Sequence, residues 1–142
     1  MKRSYDLPVL TFVVMGSLVM LTPVAATPAP DPPAGTIEIV IRNKTYEFHG
    51  GTLRPDQPTE VVLRNQDEME HGFNSKLFQE LEVQVETRDA VTFGKSIKGV
   101  HISPGSSISL HFRPTHAGKF RFQCDLHPDM KGELYMLEIP TA

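Results

Sequence analysis

Short runs of alternating apolar and polar residues, separated by turn signals, constrain the fold of this chain most strongly. Between Ile37 and Arg42 the isoleucines fall at alternate positions, and Ile108, Leu110 and Phe112 repeat this pattern. Successive side chains of a strand point to opposite faces, so a period of two indicates half-buried strands. The chain has about seven such runs and no long helical period, which predicts an all-β fold, an antiparallel β-sandwich.

One of these runs ends in the only cysteine. Phe120, Phe122 and Cys124 share one parity, so we expect the thiol to point the same way as two core aromatic residues. His127 and Met130 then follow at intervals of three residues. A buried thiolate is costly unless it binds a metal. The alternative is an inert buried Cys124 with Met130 in the core, and it leaves this spacing unexplained.

Thiolate, imidazole and thioether together form a soft donor set, and this softness selects copper. A trigonal site of one Cys and two His, with a weak axial Met, is the arrangement of blue-copper electron-transfer proteins. Cys124, His127 and Met130 supply three of the four donors. A second histidine must come from elsewhere in the chain.

His71 is the best candidate for that second histidine. It ends a loop that follows the strand closing at Asn65, and Phe73 comes two residues later. The other histidines lie in turns or on the outward parity of a strand, so we expect them to be solvated. These residues are His49, His101, His111 and His116.

The N-terminal region predicts export. Residues 1–26 have a basic start, an apolar run and small residues suited to signal peptidase, so we expect a cleavable signal peptide. Residues 27–35 form a Pro-rich linker, and residues 36–142 form the folded domain. The apolar run approaches the length needed to span a bilayer, so an uncleaved anchor is the alternative. In either case the domain lies outside the cytoplasm, and we expect a periplasmic location.

The net charge and the single cysteine limit both the partners of this protein and the role of its thiol. The formal net charge is −3 over 142 residues, and this mild acidity argues against nucleic acid. One cysteine cannot form an internal disulfide, which makes metal ligation or a reactive thiol the explanation to test. We expect the mature domain to be a monomer that does not enter a membrane.

The stretch from Ile102 to Pro114, followed by Gly118 to Gly132, resembles the cupredoxins, the small blue copper proteins that include plastocyanin, pseudoazurin and amicyanin. The resemblance covers residues 37–139. The short Cys-x2-His-x2-Met loop, with Pro128 after the histidine, looks most like amicyanin.

The resemblance implies a Greek-key β-sandwich that holds one copper ion cycling between Cu(I) and Cu(II). It implies His71, Cys124 and His127 as equatorial ligands and Met130 as the axial ligand. Two features depart from the family. Many members carry Asn after the first ligand histidine, where this chain has Gly72, so Asn65 or Asn74 would have to support the site. Residues 75–99 also have no clear counterpart and could reshape a docking face.

Three classes of function are compatible, to different degrees, with a β-sandwich that binds copper. The first is a soluble one-electron carrier between redox proteins of the cytochrome or oxidoreductase kind, which would dock near His127 beside Leu126 and Pro128. The alternative is a copper-delivery protein with the metal as cargo. We do not expect an enzyme or any catalytic residue, because four donors leave no open position. The His-x-His and Cys-His pairs that signal a second copper centre are also missing from the sequence.

Overall fold

The computed structural model describes residues 35–138. The expected signal peptide, residues 1–26, and all but the last residue of the expected linker lie outside this range. Within it, no helix has the length and apolar character that crossing a membrane requires.

Ten strands and one short 3₁₀ helix make up the described part of the chain. The strands are β1 (Gly35–Arg42), β2 (Thr45–Gly50), β3 (Thr59–Asn65), β4 (His71–Ser75), β5 (Glu82–Glu86), β6 (Val91–Lys95), β7 (Gly99–Ile102), β8 (Ser107–Phe112), β9 (Gly118–Gln123) and β10 (Lys131–Met136). The 3₁₀ helix, Lys76–Glu80, follows β4.

The strands form two sheets, which confirms the predicted β-sandwich. One sheet has the order β2-β1-β3-β8-β5-β6, and the other has the order β10-β9-β4-β7. Neighbouring strands run antiparallel, except that β1 and β3 run parallel. The exception arises because β2 runs back along one edge of β1 to its start, and residues 51–58 then cross to the other edge, where β3 begins beside Gly35.

The core lies between the sheets, where the alternation predicted it. Ile39, Leu63 and Leu110 of the six-stranded sheet are fully buried. From the four-stranded sheet, Phe73 and Phe122 pack with their ring centroids 4.6 Å apart. Burial of such side chains removes apolar area from water and is the main stabilising contribution to a sandwich of this size.

Residues 75–99 add a hairpin to the six-stranded sheet. The segment begins with the 3₁₀ helix, and the Ser75 hydroxyl caps it by accepting a bond from the Leu77 amide at 3.3 Å. Strand β5 then pairs with β8, and β6 forms the edge of the sheet. Val91 and Phe93 on this edge are exposed.

Candidate metal centre

Two loops meet at one end of the four-stranded sheet. We call residues 65–71 the upstream loop and residues 124–130 the cysteine loop. Strands β4 and β9 are antiparallel neighbours, with Asn74 opposite Gln123. The start of one antiparallel strand lies beside the end of the other. His71, the first residue of β4, therefore lies close to Cys124, which directly follows β9.

The loops bring three donor groups together. The Cys124 sulfur and one ring nitrogen each of His71 and His127 all lie within 4.8 Å of one another. The Cys124 Sγ to His127 Nδ1 distance is 3.5 Å. Met130 is buried at the end of the same loop. The structure thus gathers the residues of a site typical of type 1 copper, while their assignment as ligands stays a prediction.

Burial differs between the two imidazoles. His71 is 0% exposed and Cys124 is 1% exposed, whereas His127 is half-buried. The prediction that the cysteine points into the interior with Phe122 is confirmed. One side of the cluster is therefore shielded by protein, and His127 stands between the cluster and solvent.

The cysteine loop is closed on itself. The Cys124 amide donates to the Met130 carbonyl at 3.0 Å, and the Met130 amide donates to the His127 carbonyl at 2.9 Å. The loop is joined to β4 through the Gly72 amide, which donates to Cys124 Sγ at 3.1 Å. A donor aimed at the sulfur stabilises negative charge there, which suits a metal-bound thiolate.

His71 presents one free nitrogen to the cluster. Its Nε2 lies 2.8 Å from Asp67 Oδ2, and a carboxylate can only accept, so Nε2 carries the proton. Its Nδ1 is buried without a hydrogen-bond partner among the described residues. A buried acceptor left unpaired costs free energy. A metal ion would satisfy this nitrogen, and a carboxylate on the opposite ring nitrogen is the usual partner of a metal-binding imidazole.

Asp67 is in turn held by the turn between β1 and β2. Asn43 and Lys44 adopt the left-handed conformation, with φ of 51° and 55°. Their amides donate to the two carboxylate oxygens of Asp67 at 2.7 and 2.9 Å. Burial opposes ionisation of Asp67, but these two bonds and the one from His71 outweigh it, so its pKa lies below the ordinary value of 3.8. Asp67 is therefore a carboxylate at neutral pH.

Sequence reasoning missed this role of Asp67. The only local signal is the spacing of four residues between Asp67 and His71, which many unrelated pairs share. The turn that holds the carboxylate lies more than 20 residues away in sequence.

Asn65 fixes the shape of the upstream loop, as the sequence suggested it could. Its Nδ2 donates to the Met69 carbonyl at 2.8 Å and to the Ile102 carbonyl at 2.9 Å. Its Oδ1 accepts from the Asp67 amide at 3.0 Å. Because Asn65 is buried, these bonds are shielded from water and join the loop to the end of β7.

His101 has a closer relation to the site than its predicted outward position implied. It is exposed, as the alternation predicted, but its Nε2 lies 2.8 Å from Asp125 Oδ2 and its Nδ1 lies 3.3 Å from Glu70 Oε1. The bond to Asp125 is the main reason that the His101 pKa is raised. The same bond is the main reason that the Asp125 pKa is lowered.

The remaining histidines lie away from the cluster. His49 and His116 are exposed, as expected. His111 lies on the less buried face of its strand, as the alternation predicted, but it is half-buried, and its Nε2 lies 3.3 Å from Glu86 Oε2. Its strand, β8, lies between β3 and β5 rather than at a sheet edge, and neighbouring side chains therefore cover part of it.

Comparison with known proteins agrees with this architecture. A family described as cupredoxin-like domain matches residues 11–135. No curated protein sequence matches the chain. Among solved structures, a mutant of oxidised amicyanin is 21% identical over 71% of this chain and 81% of that chain, with a TM-score of 0.46.

Two multicopper oxidases also match. The first is 13% identical over 75% of this chain, with a TM-score of 0.55. The second, from Campylobacter jejuni and described as a metallo-oxidase, is 11% identical over 80% of this chain, with a TM-score of 0.50. This chain spans 45% and 32% of their lengths, so the likeness is to part of each oxidase and identifies the fold alone.

Proposed function

Since this chain belongs to the cupredoxin-like family, we propose that it is a type 1 copper protein that carries single electrons between redox proteins outside the cytoplasm. One observation carries the proposal: the buried, unpaired Nδ1 of His71 beside the sulfur of Cys124 and the imidazole of His127. A family fold alone does not specify a function, whereas this donor set has a definite metal chemistry.

The proposed ligands are His71, Cys124, His127 and Met130. A bound copper ion would supply the Cu(I)/Cu(II) couple, since sulfur donors favour Cu(I) and imidazoles accept Cu(II). The protein contributes a fixed donor arrangement. His71 is oriented by Asp67, and Cys124 is tied to β4 through the Gly72 amide. Donors that move little when the charge changes favour rapid electron transfer.

His127 is the residue through which electrons are proposed to enter and leave the protein. It is half-buried, and the two loops that carry the donors also carry exposed apolar side chains: Leu126 is 45% exposed and Met69 is 39% exposed. An apolar patch beside a buried redox site suits transient docking, because the patch excludes water from a contact that buries little surface. Acidic side chains at this end of the molecule, among them Glu70 and Asp129, would steer a partner with a positive surface.

We propose that the domain is exported to the periplasm and performs no catalysis of its own. The four donors would complete the site and leave no position for a substrate. The partner is a redox protein, and the mature domain acts as a monomer. Size-exclusion chromatography and fractionation of cells that express the full chain test the oligomeric state and the location.

Copper delivery is the second candidate, and the accessible His127 favours it, because an acceptor protein could reach that ligand first. The two functions differ in what happens to the metal. A carrier retains copper through repeated reduction and oxidation, whereas a delivery protein releases Cu(I) to a competing chelator. Cyclic voltammetry, followed by measurement of the protein-bound copper, separates them.

Visible and EPR spectra of the purified, copper-loaded chain provide the direct test of the site. We expect strong thiolate-to-Cu(II) charge-transfer absorption, and Cys124→Ser should abolish it. His116→Gln is a suitable control, since this exposed histidine lies outside the cluster. A copper-loaded protein without the absorption band would overturn the assignment as a type 1 site.

A further inference from the structure

Gly72 stands where many cupredoxins carry an asparagine that ties the two ligand loops together. A Cβ at this position would lie 2.0 Å from Asp125 Oδ1 and 3.3 Å from the Asp125 backbone nitrogen. The space beside Gly72 is thus filled by Asp125, which directly follows Cys124. In this chain a side chain reaches from the cysteine loop toward β4, the reverse of the family arrangement.

The Asp125 carboxylate is held in place by His101 of β7. His101 Nε2 lies 2.8 Å from Asp125 Oδ2, and the Asn74 side chain also hydrogen-bonds Asp125. The other ring nitrogen of His101 lies 3.3 Å from Glu70 Oε1. Glu70 belongs to the upstream loop and Asp125 to the cysteine loop. One imidazole therefore joins both loops through its two nitrogens.

We propose that Glu70, His101 and Asp125 form a cross-brace that sets the separation of the two ligand loops, with His101 and Asp125 as positioning residues of the copper site. This inference rests on the proposed copper function. Strand pairing fixes the backbone of His101, because it lies opposite Gly72 in the β4–β7 register. Each end of the brace is one peptide bond from a proposed ligand: Glu70 precedes His71, and Asp125 follows Cys124.

The brace should affect metal binding more than folding. The His101 and Asp125 side chains are 44% and 42% exposed, and exposed ion pairs contribute little to stability. The positions of the donors are more sensitive, because a shift in either loop changes the distance between the Cys124 sulfur and the His71 nitrogen. Loss of a group that orients a metal ligand typically weakens metal binding about 10–100-fold.

A double-mutant cycle on the full copper-loaded chain tests the brace. Asp125→Asn and His101→Gln should each weaken Cu(II) binding about tenfold or more, measured by competition with a chelator. Each should also shift the thiolate charge-transfer band. The double variant should bind Cu(II) no more weakly than the single variant with the lower affinity, because either substitution alone already breaks the brace. Asp89→Asn and His116→Gln, matched changes at exposed positions outside the two ligand loops, should leave affinity and band unchanged.

Gly72→Ala provides a second, independent variant. The new methyl group would push the Asp125 carboxylate away from His101, so copper binding should weaken as it does in Asp125→Asn. In an Asp125→Ala background the carboxylate is already missing, and Gly72→Ala should then add little. An equal loss in both backgrounds would overturn the proposal, since the glycine would then serve a purpose unrelated to Asp125.

The outcomes separate the brace from the function on which it rests. A wild-type chain without the charge-transfer band would overturn both. A wild-type chain with the band, together with unchanged single variants or with additive losses in the double variant, would overturn the brace and leave the copper function intact. Non-additive losses with normal thermal unfolding support the brace.

Discussion

The upstream loop and the cysteine loop contribute to one site but are held in different ways. The upstream loop is bonded to distant segments: Asn65 binds the Ile102 carbonyl, and Asp67 accepts from the amides of Asn43 and Lys44. The cysteine loop has bonds of its own, from Cys124 to Met130 and from Met130 to His127, beside those that join it to Gly72 and His101. The first loop takes its shape from the scaffold, whereas the second is also closed by backbone bonds between its own residues.

This difference assigns different tasks to the two imidazoles. His71 is buried and oriented by a carboxylate, so it provides a nitrogen whose position hardly depends on solvent. His127 is half-buried, so it is the donor that solvent can reach. The two donors thus suit the two tasks of the proposed site, which are to hold an ion and to exchange electrons.

Removal of each imidazole gives the largest expected effect. His71→Gly and His127→Gly should both abolish the charge-transfer band. Added imidazole should restore it in His127→Gly, because that gap opens to solvent, and should not restore it in His71→Gly, whose gap is enclosed. Visible spectra at increasing imidazole concentration provide the measurement. Equal restoration in both variants would contradict the difference in burial.

Asp67→Asn tests how the scaffold orients His71. The amide can donate to Nε2 as well as accept from it, so the ring is no longer held in one tautomer, and we expect Cu(II) affinity to fall about 10–100-fold. NMR of the metal-free protein should show the loss of the single His71 tautomer. Asp129→Asn makes the same change at an exposed position of the cysteine loop and should have no effect. Equal losses from both variants would mean that net charge, rather than orientation, determines affinity.

Asn65→Ala tests whether the scaffold bonds of the upstream loop stabilise the fold. The change leaves the carbonyl of Ile102 without its Nδ2 donor. An unpaired buried group costs about 1–3 kcal/mol, so the free energy of unfolding of the metal-free protein should fall by about that amount. Asp129→Ala, in the cysteine loop, should change it by less than about 0.5 kcal/mol. Denaturant unfolding of both variants measures these changes. Equal losses in the free energy of unfolding would contradict the distinction between the two loops.

The smallest expected effect concerns His101, which lies between the loops. Its pKa is raised above 6.5, mainly by the bond to Asp125. The stabilising contribution of a raised histidine pKa is complete below pH 6.5 and is lost as the pH rises through the pKa of the folded state. NMR titration of the His101 ring should show the raised pKa, and Asp125→Asn should return it toward 6.5. An unchanged pKa in that variant would mean that Glu70 is the main partner.

Several strands could be predicted from the sequence, because the alternation of apolar and polar residues is a local pattern. Strands β3 and β8 have one buried and one less buried face, and in β8 the buried residues Ile108 and Leu110 alternate with polar neighbours. Strand β4 gave no such signal, since four of its five residues are buried and it begins with the polar residue His71. It lies between β9 and β7 and has no solvent face to mark it.

The sequence by itself determined the sandwich and the donor types, because both depend on short-range features: a period of two, and a cysteine, a histidine and a methionine within seven residues. Only the tertiary structure decided which nitrogen of His71 is free and which carboxylates hold the loops. Asp67 meets Asn43, and Asp125 meets His101, across 24 residues of chain in each case. Such contacts depend on strand order and register, which no local pattern specifies.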